Sequence, residues 1–141
     1  MTQIIGISGK KAAGKTTSCA YINLIYNNVL SDKDVIEYNF ADELKNMAIN
    51  LLDLPRELVY GSQQNKETPT AIRGRDLYEF SKVLYRLSST HPLERFTYLR
   101  ENDVLSVRDV LKILGNFFRC LNKNTWTNAV FARIRDDNPR I

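Results

Sequence analysis

Gly9-Lys10-Lys11-Ala12-Ala13-Gly14-Lys15-Thr16 matches the pattern G-x-x-x-x-G-K-[ST] at every fixed position, and the reading of the whole chain turns on it. The pattern carries meaning between a strand and a helix. Thr2-Gln3-Ile4-Ile5-Gly6-Ile7-Ser8 predicts the strand, and Thr17 to Leu30 predicts the helix. Gly9 and Gly14 lack a Cβ, so the backbone between them can turn tightly and aim several N–H groups at phosphate oxygens. Lys15 opens the helix, where its ammonium adds to the partial positive charge of the helix end. Thr16 offers a hydroxyl, an oxygen ligand of the kind a small hard cation such as Mg²⁺ prefers. The predicted nucleotide-binding stretch is therefore Gly9, Lys10, Lys11, Ala12, Ala13, Gly14, Lys15, Thr16 and Thr17, with Thr16 on the metal.

Working outward, the helix after the turn has Cys19, Ile22, Ile25, Tyr26 and Val29 at spacings of three and four, which predicts one apolar face. Val35 to Phe40 then reads as a second strand, giving a strand–helix–strand crossover of α/β type with a parallel sheet. Ala41 to Leu52 predicts a helix buried along Ala41, Leu44, Met47, Ala48 and Leu51, with Lys45 on its polar side. A further turn from Leu54 is expected to stop at a left-handed Gly61. Ser62 to Asp76 shows no period and reads as a mobile surface loop.

Leu77, Phe80, Leu84 and Leu87 return to helical spacing, and Ser88-Ser89-Thr90-His91-Pro92 breaks it. Ser106 is a good N-cap for a helix with Val107, Val110, Leu111, Leu114, Phe118 and Leu121 on its apolar face. On the other side, Arg108, Lys112, Gly115 and Arg119 fall on one stripe. By spacing alone, that stripe is a solvated basic face. A final helix from about Asn124 carries Trp126, Val130 and Ile134 inward and ends by Asp136-Asp137-Asn138-Pro139.

The composition narrows the function classes. The 141 residues suit one domain, and a net charge of +4 suits anionic ligands. Basic residues form no long run and are not interleaved with aromatics, so nucleic acid is not an expected partner. Cys19 and Cys120 sit in helical patterns as packed thiols, and one histidine, His91, with no Cys-x-x-Cys gives no zinc site. No apolar run spans a membrane and no signal peptide opens the chain, so a cytoplasmic protein is expected.

Ile4 to Thr17, Asn39-Phe40-Ala41-Asp42-Glu43-Leu44-Lys45, and Ser106-Val107-Arg108-Asp109-Val110-Leu111-Lys112-Ile113-Leu114-Gly115 with Arg119 and Trp126 resemble the bacteriophage deoxynucleoside monophosphate kinases. The resemblance covers nearly the whole chain, loosely over Ser62 to Asp103. It implies a P-loop fold of the nucleoside-monophosphate-kinase type: a parallel sheet with flanking helices, ATP as donor, Mg²⁺ as cofactor and a deoxynucleoside monophosphate as acceptor. It further implies a nucleotide-binding core at 1–52, a variable insertion at 53–103 and an acceptor-binding part at 104–138. Lys15 and Arg108 would be catalytic. Phe40, Lys45, Arg108, Lys112, Gly115, Arg119 and Trp126 would bind the acceptor, although Phe40 reads equally as core and Lys45 as an exposed lysine.

The family pattern continues into a strand ending in Asp-x-Arg, where this sequence has Asn138-Pro139-Arg140-Ile141. The expected sheet is thus incomplete at the C-terminus. Two expectations follow: the N-terminal part of a longer product, or a shortened relative that associates with another chain, for instance as a homodimer. A non-catalytic nucleotide-binding module is the alternative function. A GTPase is disfavoured because Asn65-Lys66-Glu67-Thr68 and Asn122-Lys123-Asn124-Thr125 lack the Asp of Asn-Lys-x-Asp. The spacing from Gly9 to Gly14 is also not that of a dinucleotide fold.

Overall fold

The computed structural model describes residues 4–10, 13–29, 35–80, 82, 86 and 100–137. Readings that fall on Lys11, Ala12, Leu84, Leu87, His91 and residues 138–141 lie outside them. The chain divides into two compact units, one drawn from the first 38 residues and the other spanning 39–137.

In the first unit, the glycine turn leads directly into helix α1, Lys15–Val29. Cys19, Ile22 and Tyr26 are half-buried, as the spacing predicts, but Ile25 is 56% exposed. The two predicted strands carry no ladder bonds in their described residues, 4–8 and 35–39. Ile4, Ile5 and Ile36 accordingly stand exposed. An extended apolar segment becomes a strand only when a neighbour pairs its backbone groups, and no described segment does so here.

The second unit holds the core. Helix α2, Asp42–Leu52, ends at Asp53, whose φ of 51° is left-handed. Its buried side differs from the predicted one: Ala48 is fully buried with Leu44, Met47 and Leu52 against the core, while Leu51 is 73% exposed and Ala41 is exposed. Short helices α3, Arg56–Val59, and α4, Gln63–Lys66, follow. Gly61 between them is not left-handed. It is required instead by crowding, since a Cβ there would lie 2.3 Å from the Glu57 carbonyl oxygen and 2.8 Å from the Asn65 Cβ.

The polar segment expected to be a mobile loop is ordered. Pro69–Arg73 forms strand β1 and pairs antiparallel with β2, Val104–Ser106, in the register Pro69 to Ser106 and Arg73 to Val104. Five residues alternating exposed and half-buried are too short a period to stand out in a polar sequence, and their partner lies far along the chain. A 3₁₀ turn, Gly74–Leu77, follows β1. Helix α5, Val107–Leu121, then starts on a capping box. The Ser106 Oγ accepts from the Asp109 N–H at 3.2 Å, and Asp109 Oδ2 accepts from the Ser106 N–H at 3.1 Å. Helix α6, Thr125–Asp137, buries Val130 and Ile134 as predicted.

Val59, Val107 and Val110 sit at the centre of the core with Leu54, Leu77, Leu105, Ile113 and Leu114. Leu121, placed by its spacing on the apolar face, is 62% exposed because α5 ends there, beyond the packed part of the helix. The α5 start seats the central valines, so its cap is a local test of the whole unit. Ser106→Ala is expected to lower the unfolding free energy by about 1 kcal/mol. The measurement is a denaturant titration, with a lower midpoint at unchanged slope; an unchanged midpoint would remove the capping box from the account.

Candidate functional site

The glycine turn of the first unit is built around the Lys15 side chain. Its ammonium donates to the carbonyls of Gly9 at 2.9 Å and Lys10 at 2.7 Å, closing the turn on itself. Gly14 has φ of 79°, a conformation that only glycine adopts without strain. A Cβ on Gly9 would come within 3.3 Å of the Ala13 Cβ and 3.7 Å of the Lys15 Cγ. The first intrahelical bond of α1 runs from the Ser18 N–H to the Gly14 carbonyl at 2.9 Å. The amides of Lys15, Thr16 and Thr17 therefore lie ahead of the helical ladder, where they can serve a ligand. Gly14, Lys15, Thr16 and Thr17 line an open concavity of about 300 Å³. Thr16 and Thr17 are exposed in it.

In the second unit, the stripe of Arg108, Lys112, Gly115 and Arg119 is not one solvated face. Lys112 is exposed, but Gly115 is buried, and a Cβ there would meet Leu44 Cδ2 at 3.1 Å. The Gly115 carbonyl accepts from Trp126 Nε1 at 3.1 Å and from Arg119 Nε at 3.2 Å. Another Arg119 nitrogen donates to Asn116 Oδ1 at 2.6 Å. Gly115, Arg119 and Trp126 are thus brought together, with Phe118 edge-on to the Trp126 ring at 5.6 Å.

Arg108 sits apart from that trio, over α4. Its guanidinium donates to Gln63 Oε1 at 2.5 Å and lies against the Glu67 carboxylate in an ion pair. The pair lacks hydrogen-bond geometry at Nε, so that buried nitrogen has no hydrogen-bond acceptor. Spacing places Lys45 on the polar face, and the family resemblance implies that it binds the acceptor. It is half-buried, 3.4 Å from Asp42 and 4.4 Å above the Tyr60 ring. Burial first, and the Asp42 carboxylate second, raise the Tyr60 phenol above its usual pKa, with Arg56 pulling the other way. Phe40 is 58% exposed in a turn and is not core.

Sequence reading missed Gln63, Lys66 and Glu67. They sit in a polar run with no period; Gln63 and Glu67 are marked only by their contacts with the distant Arg108, and Lys66 by sharing their turn. Lys66 is half-buried and has no side-chain hydrogen bond or ion pair among the described residues. Burial lowers its pKa below the usual lysine value, and the nearby charges of Lys45 and Arg108 lower it further. Among the described residues, no group of histidines, cysteines and carboxylates could hold a metal ion, and no helix is long and apolar enough to cross a membrane.

A protein of Acanthamoeba polyphaga mimivirus named "Putative deoxynucleotide monophosphate kinase" is 39% identical over 66 residues. The matched stretch is 47% of this chain and 31% of that relative, so the chain spans about a third of its length. The match supports a kinase-like relationship. No family model and no solved structure matches the chain.

Proposed function

We propose that the chain belongs to an α/β P-loop phosphotransferase that moves the γ-phosphoryl of ATP to a deoxynucleoside monophosphate. The observation that carries the reading is the closed glycine turn with the Lys15 ammonium at its centre and Thr16 exposed beside it. The kinase-named relative supports the same class. Carbonyls of Gly9 and Lys10 hold the ammonium beside the concavity, and polyphosphate oxygens there would be stronger acceptors for it. There it would neutralise charge on the migrating group, while the leading amides of α1 take further phosphate oxygens. The Thr16 hydroxyl is the residue that fits Mg²⁺, which when bound draws charge off the phosphates.

On the acceptor side, Arg108 offers a guanidinium whose Nε is not yet hydrogen-bonded, which suits the paired oxygens of a phosphate. Trp126 and Phe118 supply an aromatic wall for the nucleoside. Transfer depends on both kinds of group, because positioning and charge neutralisation do most of the work in phosphoryl transfer.

The test is ADP formation from Mg-ATP that depends on one of the four common deoxynucleoside monophosphates. Arg108→Lys is expected to raise the acceptor KM by about tenfold, since an ammonium cannot make the paired contact, and to leave the KM for ATP unchanged. Equal acceptor KM in the two proteins would remove Arg108 from the site. Tight Mg-ATP binding with no transfer to any acceptor would leave a nucleotide-binding module in place of a kinase.

A further inference from the structure

The second unit places Arg108 against helix α4, and that turn carries a second cation, Lys66. Helix α4 is a single turn, yet it is fixed from three sides. Ser62 caps it by accepting from the Asn65 N–H at 3.2 Å. Gly61 lets it close against α3. The Thr68 carbonyl just beyond it accepts from the Val107 N–H at 3.2 Å, tying it to the first turn of α5. Gln63 and Glu67, one helical turn apart, both reach Arg108. Lys66 lies between them in sequence and belongs to the same turn. The charges of Lys45 from α2 and Arg108 from α5 both act to disfavour its ammonium, after burial.

Of these three cations, Lys45 is answered by Asp42 and Arg108 by Glu67, and Lys66 is answered by nothing described. Like charges acting on a half-buried ammonium disfavour it, and a dianion beside it relieves that. The Glu67 side chain is 60% exposed against 24% for Arg108, so the carboxylate sits at the rim and can swing into solvent. It also meets the guanidinium out of hydrogen-bond line, a contact that a phosphate could improve on.

We propose that Lys66, with Lys45 and Arg108, forms the seat for a phosphate monoester dianion, and that the Glu67 carboxylate occupies Arg108 until that dianion displaces it. The proposal rests on the phosphotransferase reading in taking the acceptor's phosphate as the ligand. The seat itself is a property of residues 45–108 of the second unit.

The experiment is calorimetric titration of the full chain and of Lys66→Met and Glu67→Gln with the four deoxynucleoside monophosphates, their deoxynucleosides and inorganic phosphate. Lys66→Met is expected to weaken the monophosphate about tenfold, the loss of one charge-assisted contact. Glu67→Gln is expected to tighten it by roughly fivefold, the upper range for a solvent-facing ion pair. Neither variant changes deoxynucleoside affinity, and Lys66→Arg restores most of the loss. Lys66→Gln replaces the methionine variant if that one does not fold.

Monophosphate affinity unmoved by either variant overturns the proposal, as does wild-type protein that binds neither monophosphate nor inorganic phosphate. Weaker binding in Glu67→Gln overturns the displacement step. Monophosphate binding that depends on Lys66 in a chain with no transfer activity keeps the seat and removes the kinase reading. Transfer with acceptor affinity insensitive to Lys66 does the reverse.

Discussion

Mg-ATP binding falls by about two orders of magnitude in Lys15→Met, the loss of two or more charge-assisted contacts to phosphate oxygens. The fall has a specific structural cause. The Lys15 ammonium bonds the Gly9 and Lys10 carbonyls, and the residue lines the concavity that the polyphosphate would enter. Methionine keeps most of the stem and removes the charge. Those bonds are solvent-exposed, and exposed contacts of this kind contribute little to stability, so the melting temperature of the free protein should move little. Calorimetry with Mg-ATP checks the first outcome and a thermal melt the second. Binding that survives the substitution would sink the phosphate-turn reading, and with it the proposed function.

Gly74→Ala is the second large effect, and it acts on the fold of the second unit. Gly74 is buried at the end of β1, and a Cβ there would lie 1.9 Å from the Arg100 carbonyl oxygen and 3.0 Å from its carbon. Both are backbone atoms and cannot rotate away. Two bonds hold that approach: the Gly74 N–H to the Asp103 carbonyl at 2.8 Å and the Arg75 N–H to the Glu101 carbonyl at 3.0 Å. Making room for a methyl group breaks or stretches both, so the expected loss is about 3 kcal/mol, the upper end for overpacking.

Gly115→Ala provides the internal control. Its new Cβ would meet only the Leu44 methyl at 3.1 Å, a side-chain end that can shift. Alanine also gains helix propensity over glycine, so a loss of about 1 kcal/mol or less is expected there. Denaturant titrations that rank the two the other way would mean that the β1 approach is not as close as described.

How much of this was legible in the sequence follows how local each feature is. The glycine turn could be read as a turn because its residues lie close together in sequence, and Gly14 takes a positive φ that suits glycine. The Ser106 cap could be read because its partner, Asp109, is three residues away. Val130 and Ile134 could be read from helical spacing. The buried side of α2 was legible only in part. Leu44, Met47 and Ala48 face inward as spacing predicts, but neighbouring helices turn Leu52 in and leave Leu51 out.

The basic stripe of α5 shows the limit most clearly. Spacing places Arg108, Lys112, Gly115 and Arg119 on one line, which is correct for a helix seen alone. Packing then divides them: Gly115 goes inside against Leu44, Arg119 folds back on its own helix, and Arg108 goes to α4. The residues that meet Arg108 lie in a run whose own pattern predicts only a loop. Its order comes from β2, a strand more than thirty residues away, through bonds such as Thr70 Oγ1 to the Leu105 carbonyl at 2.8 Å.

The chain by itself determined the glycine turn before α1, with Gly14 at positive φ, and where the last two helices begin, because backbone conformation and neighbours within one helical turn decide those things. Tertiary structure alone decided that Pro69–Arg73 is a strand, that Gly115 is interior, and that Arg108 meets Gln63 and Glu67 of α4. Those outcomes depend on which distant surfaces exclude water from one another, and residue order within a segment does not encode that.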